Sequence, residues 1–194
     1  MSNPYEIVGT VFGLLSVWYS VRKSIWTWPT GLINVVLFLV MFYQVKLYAE
    51  LITYGAFFVL GVYGWWEWSR GADRAELPVM RTPARVSAVL VAIAVIWAPL
   101  QGYVLQRYTD ASLPYWDSVI TVLSLLAQWM MARKYLENWW LWIAVDVLGI
   151  GVYQAKGLYV TAGLYAVFLV LATYGLIAWA RTVNVERTRD LAAT

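Results

Sequence analysis

The sequence predicts an all-α polytopic membrane protein with seven transmembrane helices, and three observations lead to this fold class. Hydrophobic residues make up 62% of the 194 residues and charged residues only 13%, about half the charged share of an ordinary soluble domain. Apolar stretches long enough to cross a bilayer recur along the chain with short polar breaks between them. The Lys and Arg residues gather in alternate breaks, as they do in chains that cross a membrane repeatedly.

Seven stretches qualify as spans, and each should be α-helical because a helix satisfies its own backbone hydrogen bonds in lipid. The spans cover residues 5–21, 28–45, 48–68, 86–106, 115–132, 139–155 and 158–180. The breaks between them are, in order, Arg22-Lys23, Lys46, 69–85, Arg107 to Pro114, Arg133 to Asn138, and Lys156-Gly157. The first stretch lacks a basic leader and a small-residue cleavage site, so we expect a retained helix rather than a signal peptide.

Composition also excludes several classes of function. A water-soluble enzyme, a secreted disulfide scaffold, a disordered chain and a nucleic-acid binder do not fit so apolar a chain. The sequence contains no Cys and no His, which excludes zinc sites, disulfides, thiol nucleophiles, His-based triads and His-ligated haem. All four Lys lie near span ends, so a retinal Schiff base within a span is excluded as well. We therefore expect no enzyme activity, no catalytic residue, no metal, no cofactor and no nucleic-acid partner.

The distribution of positive charge predicts the orientation in the membrane. One side carries eleven of the 14 Lys and Arg residues, namely Arg22, Lys23, Arg70, Arg74, Arg81, Arg85, Arg133, Lys134, Arg181, Arg187 and Arg189. The other side has Lys46, Arg107 and Lys156. By the positive-inside rule the first side is cytoplasmic, which places the N-terminus outside and the C-terminus inside.

A shift of 111 residues aligns the chain with itself, which indicates an internal repeat. The pairs brought into register include Trp18/Trp129, Arg22/Arg133, Lys23/Lys134, Trp28/Trp139, Tyr54/Tyr165, Tyr63/Tyr174, Trp68/Trp179 and Arg70/Arg181. One residue of slack is expected between Trp28 and Tyr48, because a Tyr-Gln pair at 43–44 matches another at 153–154 with a shift of 110.

The repeat predicts a 3+1+3 architecture. We expect a first three-helix repeat in 1–70, a linker loop and span 4 in 71–110, a second three-helix repeat in 111–181, and a cytoplasmic tail in 182–194. An odd number of spans separates one unit from the other's equivalent helix, so the two repeats are parallel. Parallel repeats related by an axis along the membrane normal are one symmetry type of transporters, with the substrate at the repeat interface. The alternative is a duplication that reflects evolutionary history and implies no pathway.

Asp146 is the most informative polar residue, since it lies about 12 Å into span 6. An ionised Asp there costs about 2.5–3.5 kcal/mol, so it should face the bundle interior or a water-filled cavity. Trp139, Trp142, Asp146 and Tyr153 share one helical face by their spacing. A carboxylate beneath two indoles suits an aromatic cation, which would gain stacking, cation–π attraction and a counter-charge. The alternative is a structural pairing of Asp146 with a neighbouring polar group.

Two amides lie at a depth similar to that of Trp142. Asn34 in span 2 and Gln128 in span 5 could hydrogen-bond a ligand, or could join helices through bonds worth about 0.6 kcal/mol on average. Glu50 and Glu67 lie near span ends, and we expect both to be solvated. A single deep carboxylate does not support a multi-site proton relay, which favours passive uniport over ion-coupled pumping.

Several motifs together resemble one family, the PnuC-type vitamin transporters of bacteria, over nearly the whole chain. The motifs are WPTGLIN at 28–34, KLYAE at 46–50, YGWWEW at 63–68, WDS at 116–118, RKYLENW at 133–139, and the Trp139/Trp142/Asp146 series. The resemblance implies a seven-helix bundle of two three-helix units, similar in build to the SWEET sugar transporters. It also implies a homotrimer in the bacterial cytoplasmic (inner) membrane, embedded in lipid, with one path per protomer. Such proteins carry an unphosphorylated vitamin down its gradient, and a cytoplasmic kinase then traps it.

The substrate expected first from this resemblance is nicotinamide riboside, with thiamine as the alternative; riboflavin serves a related branch. Both of the first two are aromatic cations. The chain departs from nicotinamide riboside carriers at Asp146, where Asn is frequent, and at Tyr54, where Gln is frequent. A mononucleotide is disfavoured because no intramembrane Arg or Lys is available for its phosphate.

In this hypothesis the substrate-binding residues are eight. Trp139 and Trp142 stack on the base, Asp146 neutralises the cation, and Asn34 and Gln128 hydrogen-bond hydroxyls; Trp28, Tyr54 and Tyr165 line or gate the path. Two alternatives of other classes are a non-transporting membrane sensor of the same vitamin and a purely structural membrane protein.

Overall fold

The computed structural model describes residues 4–70 and 77–192, which form seven α-helices. These are α1 (Pro4–Val21), α2 (Thr27–Gln44), α3 (Tyr48–Ser69), α4 (Ala84–Tyr108), α5 (Pro114–Ala132), α6 (Asn138–Ala155) and α7 (Tyr159–Ala192). The seven predicted spans are confirmed as helices, and the boundaries agree within two residues except at the end of α7. That helix continues past the expected end at 180, through most of the expected tail.

Three of the seven helices, Thr27–Gln44, Ala84–Tyr108 and the Tyr159–Val185 part of α7, are long and apolar enough to cross a membrane by length and composition. The other four have 18 to 22 residues, which corresponds to about 27–33 Å of helix. This matches a hydrocarbon core of about 30 Å. They contain more polar and aromatic residues, and these lower their hydropathy.

We call the end of the bundle where α1 and α5 terminate and α2 and α6 begin the basic end. Two chain reversals there have the same backbone. Lys23 and Lys134 both adopt a left-handed conformation, with φ of 57° and 51°. Their amides donate to Ser20 O at 3.0 Å and to Met131 O at 2.9 Å, which satisfies a carbonyl at the end of each preceding helix.

The two reversals at the opposite end also match, and they fix the register of the repeat. Leu47 N donates to Phe42 O at 3.0 Å, and Leu158 N donates to Tyr153 O at 2.8 Å. The counterpart of Tyr153 is therefore Phe42, at a shift of 111, and the expected slack residue is wrong. Backbone hydrogen bonds determine the register here, and the Tyr-Gln match at a shift of 110 is a coincidence of side chains.

Aromatic contacts at the basic end occur in equivalent pairs. The rings of Trp28 and Trp68 meet edge to face with centroids 5.4 Å apart, and those of Trp139 and Trp179 do so at 5.5 Å. Trp68 and Trp179 also contact each other at 6.5 Å. All four indoles belong to one buried cluster, which we call the tryptophan cluster. Edge-to-face packing places the positive edge of one ring against the negative face of the other.

Glycines on α3 and α7 make room for two of these rings. A Cβ added to Gly64 would overlap the indole of Trp28, and one added to Gly175 would lie 2.6 Å from the indole of Trp139. Small residues let membrane helices and large rings approach closely. Each Trp–Gly contact therefore holds the second or sixth helix against the next one along the chain.

Helix neighbours follow the same pattern. Each helix of α1–α3 and α5–α7 packs on its sequence neighbour within its own group, and two further contacts, α3 with α5 and α1 with α7, join the groups. Among the described residues α4 packs against α5 and no other helix. The two groups are thus joined through two interfaces, each between the third helix of one group and the first helix of the other.

The Trp–Gly contacts predict that Gly175→Ala destabilises the protein. Overpacking costs about 1–3 kcal/mol, so the thermal midpoint of the detergent-purified protein should fall by several degrees. Gly163→Ala on the same helix is the matched control, because nothing lies within 4 Å of its added Cβ and Ala is the better helix former. Equal midpoints for the two variants, followed by near-UV circular dichroism, would contradict the contact.

Candidate functional site

Asp146 lies in the middle of α6 and is 3% exposed. Among the described residues its carboxylate accepts no hydrogen bond and forms no ion pair. The structural alternative, a pairing with a neighbouring polar group, is not found within that part of the chain. A buried carboxylate without a partner is strongly disfavoured, so this position is suited to a cation that arrives with a ligand.

Two indoles precede Asp146 on α6, and their surroundings differ. Trp139 is 1% exposed, and its ring is packed on Trp179 and Gly175. Trp142 is half-buried and lies between the tryptophan cluster and a second apolar cluster that includes Val145. Trp142 therefore has the face better placed to stack on a ligand, and Trp139 supports the helix beneath it.

Both indoles also present unused hydrogen-bond donors. The Nε1 atoms of Trp139 and Trp142 are buried without an acceptor, as is that of Trp28. A buried donor without an acceptor costs about 1–3 kcal/mol, and native proteins contain few of them. Unpartnered N–H groups next to an unpaired carboxylate are typical of a site that a polar ligand completes.

Tyr165 is the predicted site residue nearest to this carboxylate from another helix. Its ring covers Gly149, where a Cβ would overlap it, and Gly149 lies one turn from Asp146 on α6. The ring also packs on Tyr153, with centroids 5.1 Å apart. Glycine at 149 thus lets α7 bring a phenol close to Asp146.

Tyr54 belongs to a separate aromatic group in the first three helices. Its ring contacts those of Phe38 at 5.4 Å, Phe42 at 5.0 Å and Phe57 at 5.9 Å. The Phe42–Tyr54 contact is the equivalent of the Tyr153–Tyr165 contact in α6 and α7. Tyr54 therefore lies on the first group's side of the bundle, and it is part of an apolar cluster.

The remaining predicted residues are not joined to Asp146 by any contact within the described chain. Asn34 Nδ2 donates to Gly9 O at 2.7 Å and so joins α2 to α1. Trp28 is 3% exposed and lies in the tryptophan cluster. Gln128 is half-buried on α5. The site that the structure assembles is thus Asp146, Trp142 and Tyr165, with Trp139 behind them.

Sequence reasoning missed two ion pairs. Arg133 Nη1 lies 3.0 Å from Glu67 Oε1, and Lys156 Nζ donates to both carboxylate oxygens of Asp117 at 2.7 and 2.9 Å. The side chain of Glu67 is 15% exposed, so the expectation that it is solvated is wrong, whereas Glu50 is exposed as expected. A hydrogen bond to Tyr63, together with Glu67, raises the pKa of Arg133 above its usual value.

Ser118 is a further residue without an assigned role in the sequence reasoning. It is 0% exposed, and its Oγ has no partner among the described residues. The signal that could have found it is the WDS motif, which places a hydroxyl directly after the ion-paired Asp117.

A separate cavity of about 170 Å³ lies between α4 and α5. Its lining is entirely apolar and consists of Ala94, Val95, Ala98, Val119, Val122 and Leu123. Such a lining offers neither a counter-charge nor a hydrogen bond to a small polar solute. The cavity is therefore not the candidate site.

A bundle of seven hydrophobic helices with one enclosed carboxylate, unpartnered indole donors and a phenol defines a class, the helical membrane transporters of small organic solutes. Within that class, the chain matches the sequence model of the nicotinamide mononucleotide transporter family over residues 3–181. It belongs to this family.

Relatives and a solved structure agree with the family. The nicotinamide riboside transporter PnuC of Escherichia coli (strain K12) is 31% identical over 212 residues, covering 96% of this chain and 89% of the relative. The riboflavin/roseoflavin transporter RibM of Streptomyces davaonensis is 25% identical, covering 90% of this chain and 83% of the relative. A crystal structure of the vitamin B3 transporter PnuC has 26% identity and a TM-score of 0.74, covering 93% of this chain and 82% of that one.

The hydrogen bond of Asn34 predicts a structural effect for Asn34→Leu. Loss of the bond to Gly9 O should lower stability by about 0.6 kcal/mol and leave ligand affinity within about twofold, a shift smaller than the loss of one hydrogen bond. The measurements are a thermal midpoint and a tryptophan-fluorescence titration with nicotinamide riboside. Gln128→Leu is the comparison variant. An affinity loss of tenfold in the Asn34 variant with unchanged stability would assign Asn34 to the ligand instead.

Proposed function

We propose that this protein is a facilitative transporter that carries nicotinamide riboside, an unphosphorylated cationic vitamin, across the bacterial inner membrane. The observation that carries the proposal is the buried, unpaired carboxylate of Asp146 beside the unpartnered N–H of Trp142. A pyridinium ring supplies the missing positive charge and a flat face for the indole. The riboside part supplies hydroxyl acceptors for indole N–H groups and for the amide of Gln128.

Passive uniport fits the same inventory. Asp146 is the fully buried carboxylate among the described residues, and ion-coupled carriers rely on chains of several intramembrane titratable groups. A single counter-charge recognises a cation without providing a relay. Net flux would then follow the vitamin's own gradient, and phosphorylation by a cytoplasmic kinase would keep that gradient directed inward.

A riboside fits the residues better than a mononucleotide does. Phosphate recognition calls for Arg or Lys, and within the described chain the basic residues lie at the helix ends rather than beside Asp146. Two of them, Arg133 and Lys156, are already ion-paired. Thiamine is less favoured, because the relatives described above are named for nicotinamide riboside or riboflavin. A vitamin sensor remains the alternative that a flux measurement separates.

We further propose an arrangement of two parallel repeats, with α1–α3 in residues 1–70 and α5–α7 in 111–181, connected by a linker and α4 in 71–110 and followed by a tail in 182–194. Equivalent turns, indole pairs and Trp–Gly contacts at a shift of 111 residues support it. The positive-inside rule places the basic end in the cytoplasm and the N-terminus outside. The exposed apolar face of α4 is available for contacts in a homotrimer or for lipid.

The proposed function predicts saturable uptake by purified protein in liposomes. Nicotinamide riboside should enter without an imposed ion gradient, and thiamine should compete weakly or not at all. Tryptophan fluorescence should show saturable quenching with the same preference. Binding without flux would indicate a sensor, and a preference for thiamine would overturn the assignment of substrate.

Replacing Asp146 with Ala should abolish saturable uptake and leave the fold intact. The reason is that the counter-charge for the cation is lost, whereas an unpaired buried charge contributes nothing favourable to folding. Asp110→Ala, at an exposed position in the α4–α5 connection, is the matched control and should transport normally. Unchanged uptake by the Asp146 variant, with the same thermal midpoint as the parent, would exclude the assigned role.

A further inference from the structure

The two interfaces that join the helix groups at the basic end share one contact. Trp68 Nε1 donates to Ala132 O across the α3–α5 interface, and Trp179 Nε1 donates to Ser20 O across the α1–α7 interface, both at 3.1 Å. In each case an indole of a third helix bonds the last turn of a first helix. These bonds close the basic end over the site that contains Asp146.

Charged contacts make the α3–α5 interface the stronger one. Arg133 forms its ion pair with Glu67 there at 3.0 Å, and the ammonium of Lys134 lies 4.4 Å from the ring centroid of Trp68. Half-buried ion pairs and cation–π contacts are stronger than exposed ones. This interface therefore resists separation.

The α1–α7 interface lacks the corresponding acid. The position equivalent to Glu67 is Ala178, and Arg22, the equivalent of Arg133, lies over the ring of Trp18 on its own helix at 5.5 Å. Lys23 instead donates to the hydroxyl of Thr182 at 2.7 Å. A bond to a neutral hydroxyl is readily exchanged for one to water.

The connection between α3 and α4 strengthens the α3–α5 side further. Met80 N donates to Lys134 O at 3.0 Å, and Leu136 N donates to Met80 O at 2.8 Å. The carboxylate of Glu137 accepts from both the amide and the hydroxyl of Thr82 at 2.7 Å. This segment therefore fastens the chain that follows α3 to the turn between α5 and α6.

We infer that the two interfaces have different roles in transport: α3–α5 is the hinge, and α1–α7 is the gate through which the vitamin leaves at the basic end. Opening the gate breaks the Trp179–Ser20 and Lys23–Thr182 bonds, both to uncharged acceptors. Opening the other side would separate an ion pair, a cation–π contact and the Met80 hydrogen bonds. Interfaces of this kind switch between two packed states. The inference rests on the proposed function.

The absence of native Cys makes a direct test possible. Two double variants, Lys23→Cys with Thr182→Cys and Glu67→Cys with Arg133→Cys, are reconstituted in liposomes and treated with a bifunctional methanethiosulfonate. Cross-linking is verified by intact mass, and nicotinamide riboside uptake is measured before treatment, after it, and after reduction. Each variant is its own reference, so loss of the native contact does not enter the comparison.

The 23/182 cross-link should reduce uptake by about tenfold or more, as expected when an opening step is blocked, and reduction should restore it. The 67/133 cross-link should change uptake by less than about twofold, because a hinge stays closed throughout. Arrest by the 67/133 cross-link, or no effect of the 23/182 cross-link, would overturn the assignment of gate and hinge.

A second readout separates this inference from the proposed function. If the untreated protein moves no vitamin, the proposed function fails, and the two cysteine pairs are spin-labelled for distance measurement. The 23/182 pair should show a broad or two-component distribution and the 67/133 pair a single narrow one. Two equally narrow distributions, or the reverse order, would overturn the gate.

Discussion

The contact between a tryptophan ring and a glycine backbone is the interaction on which the rest of this structure depends. Gly64 and Gly175 leave the space that the indoles of Trp28 and Trp139 occupy. Lipid provides no hydrophobic drive for helices to associate, so close packing has to hold them together. With these rings in place, Trp68 and Trp179 contact them edge to face. The tryptophan cluster, and the closed basic end above the site, follow from the same two glycines.

The two helix groups share this packing and differ in chemistry. At the shift of 111 residues, the counterparts of Trp142 and Asp146 are Gly31 and Val35. Gly31 lies against Ser16, and Val35 is buried, so the first group fills with close helix contacts the space that the second uses for polar recognition. One carboxylate per chain is enough for one monovalent cation. A second one facing it would add repulsion and a further desolvation cost.

The polar groups left without partners lie where a ligand would complete them. Buried donors and acceptors without partners lower the stability of a folded protein, and proteins that keep them usually do so for function. Here Asp146, Trp142 and Ser118 keep such groups, whereas Asn34 has found a backbone acceptor on α1. That difference separates the binding side chains from the structural ones more clearly than their depth in the membrane does.

The sequence by itself determined the number of helices, their boundaries within two residues at nearly every end, the uneven distribution of charge and the exceptional status of Asp146. These properties are local, because hydrophobic length, turn residues and the cost of a buried charge can be evaluated along a single segment. The tertiary structure decided which helices are neighbours, and therefore what each side chain contacts. Glu67 meets Arg133 because α3 packs on α5, and Trp28 and Trp139 are enclosed by glycines 36 residues further along the chain. The register of the repeat also came from the structure, since backbone hydrogen bonds, rather than similar side chains, define equivalent positions.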